Sequence, residues 1–178
     1  MKITTKEMTL IALFTAVTCI LAPLALPIGP VPISLTNLVL YFSIYILKTK
    51  DAVISLVIYL LLGFVGLPVF SGFTGGAGKL FGPTGGYLIG FIPMVLIAGL
   101  LINRCKGNKV LEGILLFAVT ILLYILGTLW LAYSAGMGFK AALFAGVIPF
   151  IPGDIAKIVL AVIFAPMIVK RLEKSGVR

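Results

Sequence analysis

Apolar residues dominate this chain in six long runs, separated by short stretches rich in proline, glycine or charged residues. A helix needs about 20 mostly apolar residues to cross a bilayer. The pattern therefore predicts an all-α integral membrane protein with six transmembrane helices. No long polar segment divides the runs, so residues 1–178 are predicted to form a single transmembrane domain. The six runs are approximately residues 8–27, 33–48, 52–68, 85–103, 112–135 and 153–170.

The basic residues are distributed unevenly around these runs. With both termini placed in the cytoplasm, eleven of the fourteen lysines and arginines lie inside. Lysine and arginine accumulate in cytoplasmic loops, so this asymmetry predicts the orientation. The eleven are Lys2, Lys6, Lys48, Lys50, Arg104, Lys106, Lys109, Lys170, Arg171, Lys174 and Arg178, whereas Lys79, Lys140 and Lys157 lie toward the outer face.

Composition supports the membrane class. Hydrophobic residues make up 61% of the chain, against about 45–50% in soluble domains. The net charge of +9 is explained by cytoplasmic anchors that contact lipid headgroups, without a nucleic-acid partner. The first apolar run has no A-x-A-like cleavage site, so we expect a retained helix and not a signal peptide.

Two of the outer connections contain unusual amounts of proline or glycine. The first includes Pro23, Pro27, Pro30 and Pro32, which predicts a stiff, extended loop. The second is a glycine-rich segment over residues 67–87, between the third and fourth predicted helices. Irregular backbone near membrane depth is tolerated where protein buries it or where it lines a cavity. These connections indicate that the outer face carries out recognition.

Asp154 and Lys157 are the charged residues at the start of the sixth run. Residues three apart share one face of a helix. In one interpretation the pair is structural, because a carboxylate is favoured at a helix N-terminus. In the other, it marks the path of a polar substrate, as ionisable groups at membrane depth usually do. A carboxylate accepts N–H donors and an ammonium donates to a carbonyl, so the pair suits a small neutral group that presents both.

The glycine-rich segment does not match a phosphate-binding loop. A match ending at Lys79 would need glycine at Phe73 and serine or threonine at Leu80. Tight turns or close approach of the backbone to a ligand are the better interpretation of its glycines. Lys79 either contacts lipid headgroups as an anchor or binds a carboxylate of a ligand.

Small residues recur every fourth position in two of the predicted helices. Gly82, Gly86 and Gly90 favour close packing inside the protein. For Ala12 and Ala16, spacing alone leaves open an internal contact or a partner subunit.

Enzyme classes find little support. The chain has no histidine to assist a cysteine nucleophile or to hold a metal. Asp51 and Asp154 fall on opposite faces of the predicted membrane domain, so they cannot act as an aspartyl protease dyad. We therefore expect no enzymatic activity and no cofactor.

Four segments together resemble the BioY family, the biotin-specific substrate-binding subunits of energy-coupling-factor transporters. The resemblance covers nearly the whole chain, and the combination of GPTGGY with PGDxxK is its most specific part. The segments read GGAGKLFGPTGGYLIGF (75–91), IPGDIAK (151–157), PVPISLTNL (30–38) and GLPVF (66–70).

The resemblance implies a six-helix bundle in a prokaryotic cell membrane, with an outward-facing biotin pocket. Asp154 and Lys157 would contact the vitamin, whose ureido ring presents two N–H donors and one carbonyl. Asn37 and the glycine-rich loop, with Gly75, Gly76 and Tyr87, would line the same pocket.

The resemblance also implies partner subunits. ATP-driven import would need a transmembrane coupling subunit and two cytoplasmic ATPase subunits. Ala12 and Ala16 match the Ala-x-x-x-Ala stretch that meets the coupling subunit in related proteins, which favours the partner interpretation.

The chain departs from the pattern of part of the family at three positions. Some members carry asparagine at Thr74 and arginine at Leu88, and many carry glutamine at Thr36. Lys79 is therefore the candidate partner of the biotin carboxylate. The departures also keep a second hypothesis open, a subunit for another vitamin or for a biotin precursor.

Overall fold

The computed structural model describes residues 4–27 and 31–176, and this part of the chain is mostly helical. Pro30, Lys2 and Arg178, which entered the sequence predictions, lie outside the described residues. A short 3-10 helix, Ile102–Cys105, lies between two of the long helices. The other elements are α1 (Thr5–Leu21), β1 (Ala25–Leu26), β2 (Ile33–Ser34), α2 (Thr36–Ile46), α3 (Thr49–Phe64), α4 (Ala77–Leu80), α5 (Gly85–Leu101), α6 (Lys109–Ser134), α7 (Phe139–Gly146) and α8 (Ile151–Lys174).

Each predicted apolar run contains one helix, but the boundaries differ. Helix α1 ends at Leu21, six residues before the predicted boundary, because the prolines that follow cannot continue a helix. Residues 25–26 instead pair antiparallel with residues 33–34, Ala25 opposite Ser34. Helix α2 is consequently only 11 residues long, about 16 Å at the usual rise.

Two helical segments of the described chain are long and apolar enough to cross a membrane unaided. They are Gly85–Cys105 and Lys109–Ser134. A third qualifies if α7 and α8, which meet at a 46° bend, count as one broken span. The prediction of a membrane protein built from apolar helices is confirmed at this level.

Local sequence signals explain where several helices begin. At α1, the Thr4 side chain accepts from the Glu7 backbone while the Glu7 carboxylate accepts from the Thr4 backbone, which is a capping box. At α6, the Asn108 side chain accepts from the backbone of Val110 and Leu111. Helix α8 carries Pro152 in its first turn, where a missing N–H costs nothing.

Glycine allows α5 and α6 to approach closely. A Cβ at Gly86 would overlap the Trp130 side chain, and one at Gly90 would lie 2.9 Å from Leu123 Cδ1. Both glycines therefore serve internal packing, as predicted. The contact between α5 and α6 forms one wall of the cavity described next.

Candidate functional site

Asp154 and Lys157 form a buried ion pair in the first turns of α8. Lys157 Nζ lies 2.9 Å from Asp154 Oδ1, and the two residues are 8% and 1% exposed, respectively. Removing two charges from water is expensive unless further hydrogen bonds satisfy them. The stability of the pair therefore depends on hydrogen bonds from the surrounding groups.

Three other elements supply those hydrogen bonds. Asn37 Nδ2, on α2, donates to Asp154 Oδ2 over 3.0 Å, and the Tyr124 hydroxyl, on α6, donates to the same oxygen over 2.7 Å. Lys157 Nζ also donates to the Ser34 carbonyl of β2 over 2.9 Å. The network thus joins α2, α6, α8 and the hairpin at one point.

The network leaves some hydrogen-bonding capacity unused. Among the described residues, Asp154 Oδ1 accepts only from Lys157, and the Lys157 ammonium uses two of its three protons. One acceptor position on Asp154 and one donor on Lys157 therefore remain unused at the polar edge that this pair forms. This edge complements a group that presents an N–H next to a carbonyl.

A recess opens beside the pair, with about 590 Å³ of atom-free space that includes its opening to solvent. Small-molecule sites usually combine apolar walls with a few placed polar groups. The lining residues are Val31, Pro32, Ser34, Thr36, Asn37, Tyr59, Ser71, Thr84, Tyr87, Leu88, Phe91, Leu123, Tyr124, Gly146, Phe150, Asp154 and Lys157.

Tyr87, predicted from the GPTGGY segment, contributes to the wall of this recess. Its hydroxyl donates to the Gly146 carbonyl over 3.0 Å. A Cβ at Gly127 would overlap the Tyr87 ring, and one at Gly146 would overlap its hydroxyl. The two glycines therefore leave the space that the tyrosine occupies.

The structure places three predicted site residues outside the lining of the recess. Gly76 has a φ of +88° and donates its N–H to the Gly63 carbonyl, while Gly75 packs on the backbone of Leu67. Lys79 is half-buried on α4, where burial lowers the pKa of its ammonium. A binding role for these three residues stays a prediction.

Sequence reasoning missed two elements of the network. Tyr124 lies within an apolar run, where a tyrosine is read as ordinary packing. The sequence does contain a signal for it, since the hydroxyl of a tyrosine inside a spanning segment needs a hydrogen-bond partner. The Ser34 carbonyl is a backbone group and carries no side-chain signal.

Ala12 and Ala16 lie on the exposed side of α1. They line an apolar groove between α1 and α3 with about 1,130 Å³ of atom-free space. Thr15, in contrast, faces inward and pairs with Ser55 of α3 at 3.0 Å. Neither alanine is covered by another part of the described chain, so an internal contact does not explain their spacing.

Comparison with known proteins gives a consistent result. The model of the BioY family matches residues 1–174. "Biotin transporter BioY2" of Lactococcus lactis subsp. cremoris is 37% identical over 170 residues, which cover 96% of this chain and 93% of that protein. "Probable biotin transporter BioY" of Pyrococcus horikoshii is 41% identical over 160 residues, covering 90% and 94%.

A solved structure agrees with the sequence relatives. It is described as the S-component for biotin from an ECF-type ABC transporter. The two chains superpose with a TM-score of 0.85 at 33% identity, and the match covers 97% of this chain and 95% of that one.

Proposed function

Because the chain belongs to the BioY family, we propose that it is the biotin-binding subunit of an energy-coupling-factor transporter. In this role it captures biotin outside the cell for import driven by partner subunits. The observation that carries the proposal is the recess beside the buried Asp154–Lys157 pair.

The chemistry of the recess suits the ureido ring of biotin. One N–H of the ring would donate to Asp154 Oδ1, and its carbonyl would accept the third proton of Lys157. Hydrogen bonds to ionised groups are worth about 1.5–3 kcal/mol each. Apolar wall residues such as Phe91 and Leu123 would cover the hydrocarbon and sulfur part of the bicycle.

The proposal includes the topology. We place six helices across the plasma membrane of a prokaryote, with both termini in the cytoplasm and the glycine-rich connection outside. Residues 1–178 then form one substrate-binding domain. The distribution of lysine and arginine supports this orientation, and membership of a transporter family supports transport in place of catalysis.

We propose that the groove containing Ala12 and Ala16 receives the transmembrane coupling subunit, which in turn engages two cytoplasmic ATPase subunits. Small exposed residues let another membrane helix approach closely. Ala16→Leu should reduce copurification with a coexpressed coupling subunit, while biotin binding by the isolated protein stays unchanged. Undiminished copurification would exclude this surface.

Calorimetry on the purified protein in detergent tests the binding role. Asp154→Asn removes the charge that the ureido N–H meets, so we expect biotin binding to weaken by about 1.5–3 kcal/mol. Asp51→Asn, at the other end of the bundle, is the matched control and should leave the affinity unchanged. Equal affinities for wild type and Asp154→Asn would reject the role of Asp154.

The alternative substrate is another vitamin, or a biotin precursor that keeps the ureido ring. Such a precursor would use the same edge of Asp154 and Lys157. A panel of vitamins and precursors, tested for the increase in melting temperature that each causes, identifies the preferred ligand. A larger increase with a compound that lacks the ureido ring would show that biotin is not the preferred substrate.

A further inference from the structure

Two residues that line the recess carry a buried hydroxyl group with no hydrogen-bond partner among the described residues. The two hydroxyl groups are Tyr59 Oη, on α3, and Thr84 Oγ1, at the start of α5. Both residues are more than nine-tenths buried, at 0% and 8% exposure. Leaving a buried polar group unpaired is destabilising, so two such groups in the residues that line one recess need an explanation.

Local structure does not use either hydroxyl. Thr84 is the N-cap of α5, a position where a threonine side chain normally accepts from the helix backbone, yet it makes no such bond. Tyr59 has the Thr36 hydroxyl nearby but no bond of acceptable geometry. Thr36 Oγ1 is engaged with Ser34 Oγ over 2.9 Å.

The charged side chains that line the recess are already paired. Among its described lining residues, Asp154 and Lys157 are the only carboxylate and the only cationic side chain, and they are paired with each other. The wall beside Tyr59 and Thr84 includes Leu88, which is apolar. No lining cation is therefore left to pair with a ligand carboxylate.

We propose that Tyr59 and Thr84 form a second polar subsite of the recess, which binds the polar end of the ligand side chain through hydroxyl groups without a counter-ion. The inference rests on the proposed function, since biotin supplies both a ureido ring and a side chain that ends in a carboxylate. Hydroxyls donate and accept with equal ease. A carboxylate buried without a cation pays a desolvation cost that an uncharged amide avoids.

The test compares biotin with its uncharged primary amide by calorimetry on the detergent-solubilised protein. We expect the amide to bind within about threefold of biotin, or more tightly. Tyr59→Phe and Thr84→Val remove only the hydroxyls, and each should weaken both ligands by about threefold to tenfold. Because these hydroxyls are unpaired without ligand, neither substitution should lower the melting temperature of the ligand-free protein.

Tyr45→Phe is the matched control. Its hydroxyl donates to Glu112 over 3.1 Å and does not line the recess. This variant should lose stability while keeping its affinity, which is the opposite of the result expected for Tyr59→Phe.

Three results would overturn the inference. The first is an amide that binds more than about tenfold more weakly than biotin, with Lys79→Met weakening biotin alone, since Lys79 would then be the counter-ion. The second is unchanged affinity in both hydroxyl-deleted variants. The third is a wild-type protein that binds neither ligand, which would remove the proposed function together with the subsite. In the first two results biotin still binds and the proposed function stands.

Discussion

Two ion pairs at opposite ends of the bundle have similar lengths but very different surroundings. Lys157 and Asp154 are 2.9 Å apart, with side chains 10% and 2% exposed. Lys48 and Glu7 are 2.6 Å apart, with side chains 72% and 22% exposed. The distance between the charges therefore says little about what each pair does.

The difference lies in the cost of burial. Solvent-exposed pairs contribute about 0–1 kcal/mol and are weakened by salt. A buried pair pays a large desolvation penalty, and replacing both partners with apolar residues is often neutral or stabilising. Stability alone does not account for the Asp154–Lys157 pair, and the adjoining recess supports a role in binding.

Lys157→Met should have the largest effect. It leaves the Asp154 carboxylate buried without a cation, so we expect the free energy of unfolding in detergent to fall by about 3–5 kcal/mol. The double variant Asp154→Asn, Lys157→Met should recover part of this loss, because it removes the uncompensated charge. A single variant within about 1 kcal/mol of wild type would show that the two pairs are energetically alike.

Tyr124→Phe should have an intermediate effect. It removes one hydrogen bond to a buried carboxylate, which is worth about 1.5–3 kcal/mol. Tyr41→Phe is the matched control, because its hydroxyl meets the uncharged Thr120 hydroxyl at 2.6 Å. In thermal unfolding, Tyr124→Phe should lower the melting temperature more than Tyr41→Phe does. The reverse order would contradict the argument that the buried Asp154 carboxylate depends on its hydrogen bonds.

Glu7→Gln should have the smallest effect. Glutamine can keep the capping box of α1, so the substitution removes mainly the charge that faces Lys48. We expect only a small loss of stability at low salt and a still smaller one at high salt. A loss of stability as large as that of Tyr124→Phe would show that solvent exposure does not explain the energetic difference between the two ion pairs.

The sequence predicted the parts of this molecule that depend on local spacing. Apolar runs located the helices, and the three-residue spacing of Asp154 and Lys157 placed both on one face. Asn37 was assigned to the site from a family resemblance, and the structure brings it to Asp154 across 117 positions of sequence. Spacing cannot predict such a contact, because it depends on how helices pack.

Other features followed from tertiary packing that the pattern does not encode. The glycine-rich connection has no helical periodicity, so the pattern does not predict α4. Helix α7 lies in the connection between the fifth and sixth predicted helices, where no helix is predicted. Tyr59 lies within an apolar run and is completely buried, but its unpaired hydroxyl is visible only once the described neighbours are in place. Burial of a polar atom is a property of the assembled fold.

The unequal lengths of the helices have a consequence for the surrounding lipid. Helix α1 has 17 residues and α6 has 26, about 26 Å and 39 Å along their axes. A hydrocarbon core of roughly 30 Å is thicker than the first and thinner than the second. In the proposed topology, with both helices across the membrane, the bilayer would thin beside α1 and α6 would tilt, and packing against the neighbouring helices would set that tilt.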